Sequence, residues 1–531
     1  MPEIGYANRQ APMGRGGMVA SCHPLASLAG VEVLKSGGTV VDAAVATNAV
    51  LGVTQPNYCG VGGDWFCLYH EAATRRVHFL NGAGRSGSRA TLDELGRRGH
   101  ERVPTYGPAS VSVPGVTRAW RMLLERFGTR PLKTLLAPAV HYARDGFPIS
   151  DIVSQAITER ARTNDDPEWR RVFLPGGTAP ATGQCFRQPD LAATLAELGD
   201  DPELFYRGRV ARAIADRVAS EGFLTAGDLA EHTGEWGEPL STTYRGYTIY
   251  ETPPPTQGLA ALMTLNLIEG FDLAAYPIHS VEHLHLLLEA TKLAYADRDR
   301  WVADPARERV AVARLLDKQY AARRRQRIDP DKAQRAEFGD PDGDTTGFVV
   351  ADGRGNVVSV IQSLYKSWGS GVVAPGTGVV LQNRGAYFNT DPAHPNQLAP
   401  RKRPFHTLMA CVVTRGEEPV LGYSTMGGDG QAMFHTQGLT NVLDYGMEIQ
   451  EAIERPRFVY GPMDPGDITD TARIEGRVPI EVREGLARKG HQVLAVSDWF
   501  VRMGHAHGIT LSDGTLRGGA DPRGDGAAIG F

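Results

Sequence analysis

Layers of helix and sheet stacked on one another, an α+β arrangement, are the fold class this sequence predicts. Three observations carry the prediction. Helical patterns of about three turns alternate with short strand-like runs through most of the chain. The segment 40–53 has helical spacing but is apolar on nearly every side, so it belongs between layers rather than on a surface. Two β-branched runs, 348–351 and 357–364, are joined by Asp352-Gly353-Arg354-Gly355-Asn356, which reads as a hairpin.

That hairpin organises the chain. With Gly353-Arg354-Gly355 as its loop, Asp352 faces Asn356 and Thr345 faces Ser363. Cross-strand partners lie roughly 5 Å apart at Cβ, close enough for two hydroxyls to bond. A two-residue turn would instead put Gln362 opposite Thr345.

Composition bounds the partners. The 531 residues exceed one average domain, suggesting about two to four units or one large α/β enzyme. A formal charge of −5 gives no case for nucleic acid or an anionic membrane. The run Arg323-Arg324-Arg325 is expected to be a solvated helix face. Cys22, Cys59, Cys67, Cys185 and Cys411 are odd in number and lack a CxxC pair, which argues against a disulfide framework and a zinc ribbon. No basic-then-apolar leader and no long apolar window are evident, so a cytoplasmic protein with no membrane partner is expected.

Taken in order, His23-Pro24 opens a helix that stops at Gly37-Gly38, and the all-apolar helix follows, halted before Pro56. Gly60-Val61-Gly62-Gly63-Asp64 turns into an aromatic strand, 65–69, and a further strand spans 77–80. Gly82-Ala83-Gly84-Arg85-Ser86-Gly87 matches GxGxxG formally, but no helix or βαβ unit follows, so a glycine turn near a site is the better reading than a nucleotide cradle. Helices are predicted over 116–127, 131–143, 191–198, 210–220, 259–267 and 281–296, with strands at 110–113 and 247–252. Apolar residues thin out over 317–344, which predicts an exposed segment. Strands at 410–413 and 420–423 precede Ser424-Thr425-Met426-Gly427-Gly428-Asp429-Gly430-Gln431 and a helix over 432–445. A tight glycine turn feeding a helix presents free N–H groups to an oxyanion, although it is also an ordinary strand-to-helix connection. His505-Ala506-His507 offers two ligands on one strand face without a third nearby, so no metal is expected. His283 and His285 do not share a helix face and read as core or surface residues.

Several of these stretches resemble the γ-glutamyltransferase family of N-terminal-nucleophile hydrolases. They are residues 345–383 from Thr345-Thr346-Gly347, the segment 17–70 with His23-Pro24-Leu25-Ala26-Ser27 and Val41-Asp42-Ala43-Ala44-Val45-Ala46, and the ending Gly518-Gly519-Ala520-Asp521-Pro522-Arg523. The resemblance implies a four-layer αββα sandwich with additional helices, formed jointly by segments 1–344 and 345–531 after the chain cuts itself between Asp344 and Thr345. It also implies a two-chain product of one precursor, either alone or as a dimer of such units, a small-molecule amide substrate and no cofactor.

The implied chemistry puts nucleophile and base in one residue. A threonine hydroxyl is a weak nucleophile without a neighbouring base, and an α-amine, with a pKa of about 8, is such a base. Thr345 is the implied nucleophile, Ser363 the neighbouring hydroxyl, and Gly427 and Gly428 the implied oxyanion holders. On the substrate side the chain departs from glutathione-cleaving members. It has Tyr365, Arg384, Tyr387 and His406-Thr407 where they have asparagine, glutamine, aspartate and a serine pair, and Ala83 near their carboxylate-gripping arginine. Arg85 or Arg384 is therefore the expected anion binder, and a second anionic or carbonyl group on the substrate is favoured. These features resemble the branch that includes oxamate amidohydrolase. The alternatives are a γ-glutamyl transferase or glutathione hydrolase, a cephalosporin acylase, an antibiotic-pathway hydrolase, and an inactive binding protein of the same fold.

Overall fold

The computed structural model describes residues 9–335, 344–463 and 469–531. Two seven-stranded antiparallel sheets face each other at its centre. One runs, in spatial order, Ala527–Gly530, Gly17–Ser21, Asp344–Asp352, Val357–Tyr365, Asp64–Glu71, Arg76–Asn81 and Glu235–Gly237. The other runs Met13–Gly14, Thr515–Ala520, Ala506–Ser512, Glu418–Thr425, Ala410–Arg415, Tyr247–Glu251 and Leu240–Tyr244.

Alternation along the strands explains the layering. Phe348 and Val350 pack outward against the helices Pro24–Lys35 and Val40–Thr54, whereas Val349 and Ala351 pack inward with Leu408 and with Ala410 and Val412 of the second sheet. On the far side, Ile249, Val413 and Leu421 meet Leu262, Leu265 and Leu439 of the helices Gly258–Ile268 and Gln431–Leu443. Helix, sheet, sheet and helix follow in that order, the α+β, four-layer αββα sandwich expected.

The helix Val40–Thr54 shows why the inner layers hold. Thr39 and Asp42 form a capping box that satisfies two otherwise orphaned N–H groups. Every residue of the helix except Gly52 is buried, so its all-round apolar surface is matched by packing on all sides.

The hairpin keeps the predicted register. Asp352 N donates to Asn356 O, and Gly355, at φ +91°, takes the left-handed position of a three-residue loop. Thr346 pairs with Gln362 and Ala351 with Val357, but Asp344 pairs with Tyr365. Ser363 and Leu364 together therefore oppose Thr345, a bulge in the Val357–Tyr365 strand directly across from the candidate nucleophile.

Two sequence expectations are corrected. The proposed strand at 110–113 is a 3₁₀ turn, Pro108–Ser110, followed by extended chain. Its backbone finds single partners instead of a ladder: Ser112 O accepts from the Gln382 side chain, and Val113 N donates to Arg85 O. The arginine run is not simply solvated, because Arg325 donates to the carbonyls of Asn266 and Leu267, and Arg324 to Leu293 O and Asp297. Of the segment 317–344 predicted to be exposed, residues 317–335 are exposed or half-buried apart from Ala321 and Ile328 and include the helix Lys318–Arg325, and residues 336–343 lie outside the described residues. After the Arg76–Asn81 strand no helix opens before Leu92, and a Cβ on Gly84 would lie 1.7 Å from Val113 O. Those glycines serve close backbone approach, not a dinucleotide.

Candidate active site

Thr345, fully buried, lies between two layers of side chains. Its Oγ1 donates to Ser363 Oγ at 3.3 Å and accepts from Gln431 Nε2 at 3.1 Å. Ser363 Oγ also accepts from Tyr365 N at 2.6 Å. Tyr365 adopts φ +82°, a left-handed backbone that costs a tyrosine free energy and ends the strand beside the nucleophile.

Gln431 is the first residue of the helix Gln431–Leu443, directly after the glycine turn. In that turn Gly427 and Gly428 adopt φ +127° and +53°. A Cβ on Gly427 would lie 2.5 Å from the Phe434 ring, so the position suits glycine on both counts. Gln257 Nε2 fixes the turn from behind by donating to Gly428 O at 2.8 Å and to Thr407 O at 2.7 Å.

Beside the hydroxyls is a charged cluster that reaches no solvent. Arg384 is fully buried, its Nη1 donates to Thr407 Oγ1 at 3.0 Å, and the Tyr365 ring lies 4.4 Å below its guanidinium. Its Nε is 4.0 Å from Asp64 Oδ2, and neither Nε nor Nη2 has a hydrogen-bond partner among the described residues. Asp64 heads the strand that pairs with Ser363, and its Oδ1 accepts from Gly84 N at 3.1 Å. Burial pushes the Asp64 carboxyl up to about 7, with Arg384 opposing the rise. His406 is also fully buried, without a partner for either ring nitrogen among the described residues, and burial together with Arg384 and Arg403 holds it well below the usual imidazole range.

Arg85 is placed differently from Arg384. It pairs with Glu235 at 2.8 Å, and Glu235 also binds Arg403, whose Nε donates to Ala83 O at 3.0 Å. Arg403, not Arg85, carries the second buried charge toward Asp64 and His406. Tyr387 donates to Asp429, which Arg298 also binds at 2.9 Å, and its ring meets Tyr365 at 5.4 Å and Phe405 at 4.8 Å. These three rings line one side of an outer cavity of about 270 Å³, shared with Arg102, Asp299 and His394. Of Asp344 only the strand backbone is described, and it immediately precedes Thr345.

Gln431, Asp64 and Arg403 were not singled out from the sequence. Asp64 carried a signal, as a carboxylate interrupting a glycine run before a buried strand; the other two did not. The histidines set aside earlier are all buried. His507 Nδ1 is 3.8 Å from Cys22 Sγ, and His285 bonds His491 and the carbonyl of Asp329.

Comparison with known proteins places this arrangement. The family described as Gamma-glutamyltranspeptidase matches residues 26–531. The chain is 41% identical to the glutathione hydrolase-like YwrD proenzyme of Bacillus subtilis over 521 residues, covering 97% of this chain and 98% of the relative. It is 36% identical to the oxamate amidohydrolase proenzyme of Klebsiella pneumoniae, with 97% and 98% coverage. A crystal structure of cephalosporin acylase from Bacillus halodurans superposes with a TM-score of 0.93 at 37% identity, covering 100% of this chain and 98% of that one.

Proposed function

Because the chain belongs to the gamma-glutamyltranspeptidase family and is an enzyme of it, we propose that it is a self-processed threonine amidohydrolase acting on a small acyl amide with an anionic group on the acyl side. In the precursor, Thr345 Oγ attacks the Asp344 carbonyl and the peptide nitrogen leaves as the threonine amine, giving an ester. Water cleaves that ester, restoring the hydroxyl and leaving segments 1–344 and 345–531. The freed α-amine, with a pKa of about 8, then takes the hydroxyl proton in each turnover.

In that cycle Thr345 attacks the substrate carbonyl, and the amide N–H groups of Gly427 and Gly428 receive the oxyanion. The leaving amine departs with a proton and water releases the acid. Ser363 and Gln431 hold the Thr345 hydroxyl at a fixed angle. The observation that carries the reading is Thr345 Oγ1 fixed between these two side chains, in the turn-and-hairpin arrangement the family relationship predicts.

The acyl side rests on Arg384. A fully buried guanidinium with two undirected N–H edges is poised for a carboxylate or a vicinal dicarbonyl. Enclosure of Thr345, Arg384 and His406 favours a short acyl group, which makes the oxamate amidohydrolase of Klebsiella pneumoniae the more informative relative for substrate. Tyr365 and Tyr387 then border the path from the outer cavity, and Thr407 holds Arg384 in place.

Two experiments test this. Denaturing electrophoresis with sequencing of the smaller fragment should give Thr345 as its first residue. Mass spectrometry on a panel of oxamate, γ-glutamyl anilides and cephalosporin-type amides should show turnover of oxamate-like amides first; robust γ-glutamyl turnover would overturn the acyl assignment.

A further inference from the structure

The charged cluster contains one group that the proposed chemistry does not use. Asp64 Oδ2 has no hydrogen-bond partner among the described residues, although it is fully buried and 4.0 Å from Arg384 Nε. Around it are Arg384 Nε and Nη2, Arg403 Nη2 and both ring nitrogens of His406, all buried and likewise without partners. Buried polar atoms are almost always hydrogen-bonded, so this many orphans in one cluster marks a set of side chains suited to a polar partner. Three of the five unpartnered nitrogens belong to arginines and can only donate, which matches an anion.

An anion there faces an electrostatic conflict. The acyl carboxylate that Arg384 would bind must also meet Asp64, and two carboxylates at close range cannot both stay ionised without a large cost. The charged and titratable groups facing Asp64 are Arg384 across the site, Arg403 from the loop beside Ala83, and Tyr206 from the neighbouring helix. Glu235 and Arg85 stand behind Arg403. Neither arginine can release a proton, and His406 sits among them as a neutral ring.

We propose that Asp64 is a specificity-determining residue that takes up a proton from solvent when a carboxylate-bearing acyl group enters between Arg384, Arg403 and His406, and donates it as a hydrogen bond to that carboxylate. This rests on the reading of Arg384 as the anion-binding group. The conflict between the two carboxylates thereby becomes a contact, and a neutral acyl group of the same size, unable to use it, is discriminated against. The carboxyl, already raised by burial to about 7, needs only a small further push from a second carboxylate.

The test is titration calorimetry of the mature enzyme with oxalate, near pH 8, in two buffers with different heats of protonation. Wild type should take up about one proton per bound oxalate, and its affinity should weaken about tenfold per pH unit above about pH 7. Asp64→Asn, which keeps an acceptor for Gly84 N, should bind oxalate with no proton uptake and a flat pH profile. No uptake by wild type, or undiminished uptake by Asp64→Asn, overturns the proposal. If Asp64→Asn fails to fold, Asp64→Ser, which likewise has no carboxyl to protonate, takes its place, because the Thr345 α-amine also titrates near pH 8 and only loss of uptake in an Asp64 variant assigns the proton. Undiminished oxalate binding by Arg384→Gln would instead sink the underlying anion-binding reading, even with wild-type proton uptake intact.

Discussion

Gln431 Nε2 donates to Thr345 Oγ1 at 3.1 Å across 86 residues of sequence. It ties the first turn of the helix Gln431–Leu443 to the bulged end of the hairpin, so glycine turn and nucleophile are held by one contact. Replacing Gln431 with Ala should slow turnover about tenfold, since a directed hydrogen bond contributes roughly 1–2 kcal/mol. The effect should fall on kcat rather than KM, because the bond orients the hydroxyl and does not hold substrate. Steady-state kinetics on the processed variant would show it; a change confined to KM would contradict the role.

Thr345→Ala should run as a single full-length chain and lose turnover by about a thousandfold or more. Thr345→Ser, which keeps a hydroxyl, should still yield two fragments, more slowly. Electrophoresis over time distinguishes the pair, and a cut Thr345→Ala chain would exclude self-cleavage at this residue.

Arg384→Gln should lower kcat/KM for an anionic acyl amide by about a hundredfold or more, as expected when one side of a buried charged contact is removed. A neutral acyl amide of equal size should suffer much less. Arg384→Lys should rescue little, because an ammonium cannot offer two parallel N–H groups. Equal losses on both substrates would mean that Arg384 is structural.

Asp64 should also set a pH dependence of stability. Its folded-state carboxyl is raised to about 7 from an unfolded value near 3.8, so the folded protein binds the extra proton between those values. The stability it contributes is full below about pH 4 and is lost as pH rises through about 7. Asp64→Asn should accordingly melt higher than wild type at pH 8, with the difference shrinking toward pH 5. Differential scanning calorimetry at the two pH values measures it.

Asp521 is the opposite case. Arg457 binds its Oδ2 at 2.6 Å and Arg523 its Oδ1 at 3.1 Å, while Ala506 N adds a third bond at 2.9 Å. These groups overcome burial and hold the carboxyl far below the usual range. Its contribution is therefore present above about pH 4 and is lost as pH falls further. Asp521→Asn should cost about 3–5 kcal/mol at pH 7, because buried Arg457 is left without a carboxylate partner, while Arg523 keeps Glu475 at 2.6 Å. Denaturant titration gives the value; a loss below about 1 kcal/mol would mean that the arginines find other partners.

Much of this protein was legible in local sequence. Period-two alternation in 348–351 and 357–364 and the glycine at position 355 act over a few residues, so register and loop followed from them. The Thr345–Ser363 hydroxyl contact followed too, since a hairpin is a local object. The strand at 110–113 did not, because whether an extended segment joins a ladder depends on which backbone groups lie alongside it. Arg85 and Arg384 were equal candidates for the same reason: a guanidinium is free or occupied according to its neighbours, and only the packed structure puts Glu235, 150 residues beyond Arg85, beside it. Asp64 beside Arg384, and Gln431 over Thr345, exist only once distant strands and helices pack. What the chain determines by itself is the periodicity of its elements and the bond chemistry of Thr345; what tertiary structure decides is which charges lose their water, and that desolvation gives the site its affinities and proton equilibria.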